Sequence, residues 1–260
     1  MKTDILDRII AAKRDRLRDA KIALNETAIQ IMARDLRDGR ERSRLTQALK
    51  DRNGSGIIAE FKRASPSKGL INDTVDPADA AAAYRDGGAA AISVLTEEDF
   101  FRGSLNDLRK ARAAVDLPIL RKDFIVEAYQ IYEAALAGAD AILLIVAALD
   151  TNDLAGLRSI AVDLGLDVLV EVHDLDELAV AHSIGADLIG VNNRDLRTFE
   201  VSLDTSRRLI DDKRGALFVS ESGLSTAAEL AELRSLGYDG FLIGETFMRG
   251  GLELLKEGSR

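Results

Sequence analysis

From residue 57 onward, short β-branched apolar runs alternate with Ala- and Leu-rich runs, a rhythm that few architectures accept. The apolar runs are IIAEFK (57–62), AAISVL (90–95), PILRK (118–122), DAILLIV (140–146), DVLVEV (167–172), DLIGVN (187–192), LFVS (217–220) and DGFLIG (239–244). Between them lie helical stretches such as DPADAAAAYRDGG, VEAYQIYEAALAG and STAAELAELRSLG. Strands alternating with helices imply a parallel sheet. Eight units within about 200 residues fit a closed (β/α)8 barrel; an open doubly wound sheet usually has fewer strands. A weak repeat agrees: GGAAAISV (87–94), GADAILLI (138–145), GADLIGV (185–191) and GYDGFLIG (237–244) each end a helix with Gly and enter a strand.

Ahead of this pattern, Ile5, Ile9 and Ile10 recur at helical spacing among charged residues. Residues 1 to about 50 therefore read as a helical extension packed on the barrel, with DRNGSG (51–56) as the boundary turn. The expected organisation is one barrel domain over residues 1–260. The net charge of -9 argues against non-specific binding to nucleic acid. The absence of cysteine removes disulfides, thiolate metal sites and a cysteine nucleophile, and fits the cytoplasm. The N-terminus lacks the apolar segment of a secretory signal, and no apolar run reaches the roughly 18 residues that span a bilayer. A monomer with neither membrane nor nucleic-acid partners is expected.

A barrel of this kind carries its chemistry at the C-terminal ends of its strands. Side chains alternate along a strand, so an inward Ile58 makes Glu60 and Lys62 inward too. Other strand ends repeat the pattern: Lys122 after Leu120, Glu171 after Leu169, Asn192 with Arg194 beyond it, and Ser222 before Gly223. Buried charges cost several kcal/mol unless paired or used, so this gathering points to a catalytic mouth. Carboxylates and lysines together supply acids and bases. His182 sits in a helical run and reads as structural, whereas His173 is close enough to Glu171 to reach the rim. No His/Asp/Glu spacing resembles a metal-ligand set, and neither metal nor cofactor is expected. SESGLSTAAEL and LIGETFMRG each place Gly between a strand and a helix start, a frequent phosphate cradle in the last two barrel units. Phe100, Phe101 and Phe124 follow strand ends and offer an apolar wall for an aromatic substrate.

Seven segments in register resemble indole-3-glycerol phosphate synthases: IIAEFKRASPSKG, LTEEDFFRGSL (95–105), PILRKDFIV (118–126), VLVEVHD (168–174), IGVNNRDLRTFEV (189–201), VSESGL (219–224) and LIGETFMR (242–249). The likeness covers nearly the whole chain, including the helical extension. It implies conversion of 1-(2-carboxyphenylamino)-1-deoxyribulose 5-phosphate to indole-3-glycerol phosphate, carbon dioxide and water, without metal or organic cofactor. By the same resemblance Lys122 is the general acid, Glu171 its partner in dehydration, and Lys62 a phosphate or substrate contact that donates a second proton. Glu60, Asn192 and Ser222 complete the expected catalytic set. Ser65, Arg194 and Glu221 are expected to hold substrate, with Phe101 and Phe124 lining its aromatic pocket. Lys62, Ser222, Gly223, Gly244 and Glu245 are expected around the phosphate. Two alternatives stay open on the residues alone: another barrel enzyme acting on a phosphoribosyl metabolite, and an inactive engineered or reconstructed scaffold.

Overall fold

The structure is a computed structural model describing residues 5–52 and 55–258. Its barrel strands are β1 (Gly56–Phe61), β2 (Ala91–Leu95), β3 (Ile119–Lys122), β4 (Ala141–Ile145), β5 (Asp167–Val172), β6 (Leu188–Asn192), β7 (Leu217–Glu221) and β8 (Gly240–Ile243). All eight pair in parallel with their sequence neighbours, and β1 joins β8 to close the ring. The expected (β/α)8 barrel is therefore what the chain forms. Strand limits differ from the sequence reading by a residue or two. The difference that matters is at β7, which runs on through Glu221 instead of stopping at Ser220.

Alternation divides the strand residues between two cores. Ile58, Ala91, Leu120, Leu143, Leu169, Leu188, Val219 and Leu242 fill the barrel interior. Their neighbours Ile57, Ile92, Ile119, Ile142, Val168, Ile189, Phe218 and Phe241 face the helices outside. The period-2 pattern thus fixes which residues can reach the mouth: those continuing the inward set beyond the last apolar layer. Gly88, Gly138, Gly185 and Gly237, one from each repeated segment, all have positive φ where a helix ends, the conformation a side chain would disfavour.

The N-terminal stretch, expected to be helical to about residue 50, is three helices: α1 (Ile5–Ala23), α2 (Glu26–Arg37) and α3 (Arg44–Asp51). Asn25 starts α2 by accepting the Ala28 N–H at 2.9 Å, which separates it from α1. The helix α1 lies over the barrel mouth, where Leu6 and Ile9 join the interior cluster. Its far end is held by the Tyr129 hydroxyl, which donates to the Ala20 and Leu24 carbonyls at 3.0 Å each. The opposite end of the barrel receives Leu45 and Leu49 of α3. Asp167, at the start of β5, caps α3 by accepting the Leu45 N–H at 2.8 Å and the Thr46 hydroxyl at 2.7 Å. Asn53 and Gly54 of the expected boundary turn lie outside the described residues, but the Ser55 N–H bonds the Arg52 carbonyl at 3.1 Å beside them. Among the described residues no helix is long and apolar enough to cross a membrane.

Candidate active site

A cavity of about 770 Å³ opens at the C-terminal ends of the strands, beneath α1. That size lies within the roughly 300–1,000 Å³ of ordinary small-molecule sites. Five strands send charged or polar side chains into it. On β1, Glu60 is buried and its Oε1 lies 2.6 Å from Lys62 Nζ, so the two do face the same way. On β3, Lys122 Nζ lies 3.2 Å from Glu171 Oε2 of β5 and 3.3 Å from Glu221 Oε2 of β7. Asn192 at the end of β6 donates to Glu171 Oε1 at 3.0 Å. Two glycines make room for this crowding. A Cβ on Gly190 would collide with Glu221 Oε1, and one on Gly244 would collide with Glu60 Oε1.

The rim is built from loops. SPSKG folds back as a short antiparallel pair, Ala64–Ser65 with Gly69–Leu70, placing Ser65 and Ser67 at the cavity edge. Arg194 reaches that edge from β6, donating to the Phe199 carbonyl at 3.3 Å and the Ser67 hydroxyl at 3.5 Å. Phe101 and Phe124 stand with ring centroids 5.9 Å apart and line the cavity. Phe100 instead packs under Arg8, whose guanidinium carbon is 5.6 Å from the ring centre. After β7, Ser222 and Gly223 both take positive φ in a tight turn. Asn193 clamps that turn by donating to the carbonyls of Glu221 at 3.0 Å and Ser222 at 3.2 Å. Glu229 already takes the Ser225 and Thr226 N–H groups at 2.8 and 2.9 Å. Gly244 and Glu245 line the same side of the cavity.

The profile of the indole-3-glycerol phosphate synthase family matches residues 6–253. The chain belongs to that family. An indole-3-glycerol phosphate synthase of Burkholderia vietnamiensis (strain G4 / LMG 22486) is 48% identical over 253 residues, 95% of each chain. Two solved barrels share the fold alone. A thiamine phosphate pyrophosphorylase from Pyrococcus furiosus covers 80% of this chain and 96% of its own at 18% identity and a TM-score of 0.59. An N-acetylmannosamine-6-phosphate 2-epimerase from Clostridium perfringens covers 77% and 91% at 16% identity and a TM-score of 0.62. Membership makes the chain a carboxy-lyase, an indole-3-glycerol phosphate synthase of tryptophan biosynthesis.

In this synthase the electrostatics of the central cluster are uneven. Burial works against the charge on Lys122, but Glu171, Glu221 and Glu60 together outweigh it and hold the ammonium well above its ordinary range. Burial also opposes ionisation of Glu171, yet Lys122, His173 and Asn192 keep it low and anionic. Glu221 goes the other way. Its burial, reinforced by Glu171 and Glu60, pushes it up to about 7 against the pull of Lys122. An anionic carboxylate and a carboxyl of raised proton affinity thus meet at one ammonium group.

Of the residues singled out on sequence, Phe100 and His173 do not line the cavity, whereas Glu60, Lys62, Ser65, Phe101, Lys122, Phe124, Glu171, Asn192, Arg194, Glu221, Ser222, Gly223, Gly244 and Glu245 do. Glu221, expected among the substrate contacts, lines the cavity and also lies against Lys122, inside the charged cluster. By resemblance the helical extension was expected to cover the site in part; Ile5, Leu6 and Ile9 of α1, not named for that cover, line the cavity. The helical spacing of Ile5 and Ile9 was the available signal. Sequence reasoning passed over Gly190, although a glycine inside an apolar strand often marks close approach of another group.

Proposed function

We propose that the cavity performs ring closure, decarboxylation and dehydration as an acid–base site built from this chain's own side chains. The observation that carries the reading is Lys122 held between Glu171 and Glu221, with the Phe101–Phe124 wall and Arg194 lining the same cavity. The substrate's aromatic ring lies on the phenylalanines, and its carboxylate meets Arg194 and the Ser65–Ser67 loop. Lys122 protonates the ribulose carbonyl oxygen as the carboxylate-bearing ring carbon attacks the carbonyl carbon. One carbon–carbon bond forms, and carbon dioxide leaves to restore the aromatic ring. Dehydration then needs an acid for the departing hydroxyl and a base for the adjoining carbon's proton. Lys62 supplies the acid and Glu171 the base. Glu60 orients Lys62, and Asn192 orients Glu171. The phosphate rests against Lys62 and the turns at Ser222–Gly223 and Gly244–Glu245. Each chain carries the full set of groups, so a monomer suffices, working on a cytoplasmic phosphorylated metabolite.

The test is a steady-state assay with the carboxyphenylamino-deoxyribulose phosphate. The chain has no tryptophan, so indole absorbance and fluorescence from product rise over a low background. Turnover in the wild type and a loss of about 100-fold or more in Lys122→Ala are expected. Near-normal turnover in that variant would remove Lys122 from the acid role.

A further inference from the structure

Lys122 faces Glu171 and Glu221 at nearly equal distances, 3.2 and 3.3 Å, so its own position does not decide which carboxylate carries a proton. The asymmetry lies behind them. Glu171 Oε1 accepts from Asn192 at 3.0 Å and faces His173 Nε2 at 3.4 Å. Glu221 Oε1 is buried and has no hydrogen-bond partner. His173 is itself fixed from the other side. Its Nδ1 lies 2.9 Å from Glu177 Oε2, and the same oxygen accepts the His173 backbone N–H at 2.8 Å. The ring stands between two carboxylates, with Nε2 buried. A neutral ring donating from Nδ1 to Glu177 would aim the Nε2 lone pair at an anion. An imidazolium gives each carboxylate an N–H.

We propose that His173 is a positioning residue: an imidazolium clamped between Glu177 and Glu171 that keeps Glu171 ionised as the base and leaves the available proton on Glu221. This deepens the ring-closing reading and rests on it for the word base. The surrounding charges favour the cation. Glu171 comes from its own strand, Glu177 from the following helix (Leu175–Ser183), and Asp195 acts from the loop after β6. The short turn Val146–Ala148, packed against that helix and β5, brings no charged side chain. Burial alone would lower the His173 pKa, but Glu171 and Glu177 outweigh it and push it to about 10.

The chain has only two histidines, so proton NMR of the imidazole C–H signals can follow each one. His182, whose Nε2 lies 2.8 Å from the Asp212 carbonyl, gives the other set of signals, and His173→Gln assigns the pair. His173 is expected to remain charged well above neutral pH. Glu171→Gln and Glu177→Gln should each lower its midpoint by about one pH unit or more, a tenfold change in proton affinity. Because coupling is reciprocal, His173→Gln should raise the acidic limb of the kcat/KM profile by about one unit while leaving KM at alkaline pH nearly unchanged. A His173 midpoint near the ordinary value of about 6.5, unmoved by Glu171→Gln, would overturn the proposal. So would an unshifted acidic limb in folded His173→Gln. If that variant does not fold, the Glu171→Gln titration decides alone. A wild type that forms no indole would sink the ring-closing reading, while the titration would still report whether the clamp exists.

Discussion

Replacing Gly190 with alanine tests the geometry of the charged cluster without touching a charge. The new Cβ would overlap Glu221 Oε1 and come 3.3 Å from Leu169 Cδ1. Glu221 is 1% exposed, so its carboxyl group cannot swing into solvent. It must leave its rotamer, at about 0.5–1.5 kcal/mol for a shift of ~30°. Overpacking a filled interior costs about 1–3 kcal/mol in all. A loss near 2 kcal/mol is expected, seen as a fall of roughly 4–8 °C in Tm for a chain of this size. The larger effect is on rate. Moving Oε2 away from Lys122 Nζ, now 3.3 Å distant, disturbs a proton-transfer geometry in which about 1 Å of misplacement costs on the order of 100-fold. The assay is kcat and KM from indole formation, beside a thermal melt. Gly156→Ala is the control: it lies exposed in the helix Thr151–Asp163, and its Cβ would meet nothing within 4 Å. That variant should gain about 0.8–1 kcal/mol from helix propensity and keep full activity. A folded Gly190→Ala enzyme with undiminished kcat would refute the claim that Glu221 must stand where it does.

Three further outcomes are expected. Arg194→Ala should raise KM more than it lowers kcat, since the guanidinium is assigned to the carboxylate that departs; an unchanged KM in steady-state kinetics would count against that contact. Lys13→Met should cost roughly 3 kcal/mol in urea unfolding, because Asp123 is fully buried 2.9 Å from Lys13 Nζ and would lose one of its two cations. An acid titration of stability should show a matching loss. Burial alone would raise Asp123, but Arg121, Lys13 and the Thr96 hydroxyl hold it down to about 2, below its ordinary 3.8. Its contribution is therefore present above about pH 4 and lost as pH falls toward 2, on the order of 2 kcal/mol, and Lys13→Met should flatten that part of the curve.

The barrel was legible because the two periodicities that define it are local. Apolar runs such as DAILLIV declare a strand buried on both faces, and the glycines at 88, 138, 185 and 237 mark helix ends without reference to anything distant. The site was legible for a related reason: inward alternation carries Ile58 to Glu60 and Leu120 to Lys122 by counting alone. What the count left out was the end of β7 and the contacts made across the barrel. Ending β7 at Ser220 moved Glu221 into a loop, although Val219 points inward and the same count would have put Glu221 beside Lys122. The division of the extension into three helices depends on Asn25 and on a cap for α3 supplied by Asp167, more than 100 residues away. No reading of residues 1–50 by themselves could supply that second partner.

The adjacent pair Arg121 and Lys122 separates charge spent within the outer layer from charge turned to the cavity on one short strand. Arg121 points to the outer layer and spends its guanidinium fully: on the Thr96 hydroxyl at 3.1 Å, the Gln130 carbonyl at 2.6 Å, Asp123 at 2.9 Å and Glu133 at 3.2 Å. Asp123 is equally satisfied, by Thr96 at 2.6 Å, the Phe124 N–H at 2.9 Å and Lys13. A network with every lone pair and proton in use is rigid, and it ties α1 to the strand that carries Lys122. One residue further on, the inward cluster leaves Glu221 Oε1 without a hydrogen-bond partner in a cavity open to a ligand. Unspent buried polar atoms cost stability, and natural proteins retain them where binding or proton transfer uses them. The outer network keeps the inner one in register, so the cost falls where substrate can offset it.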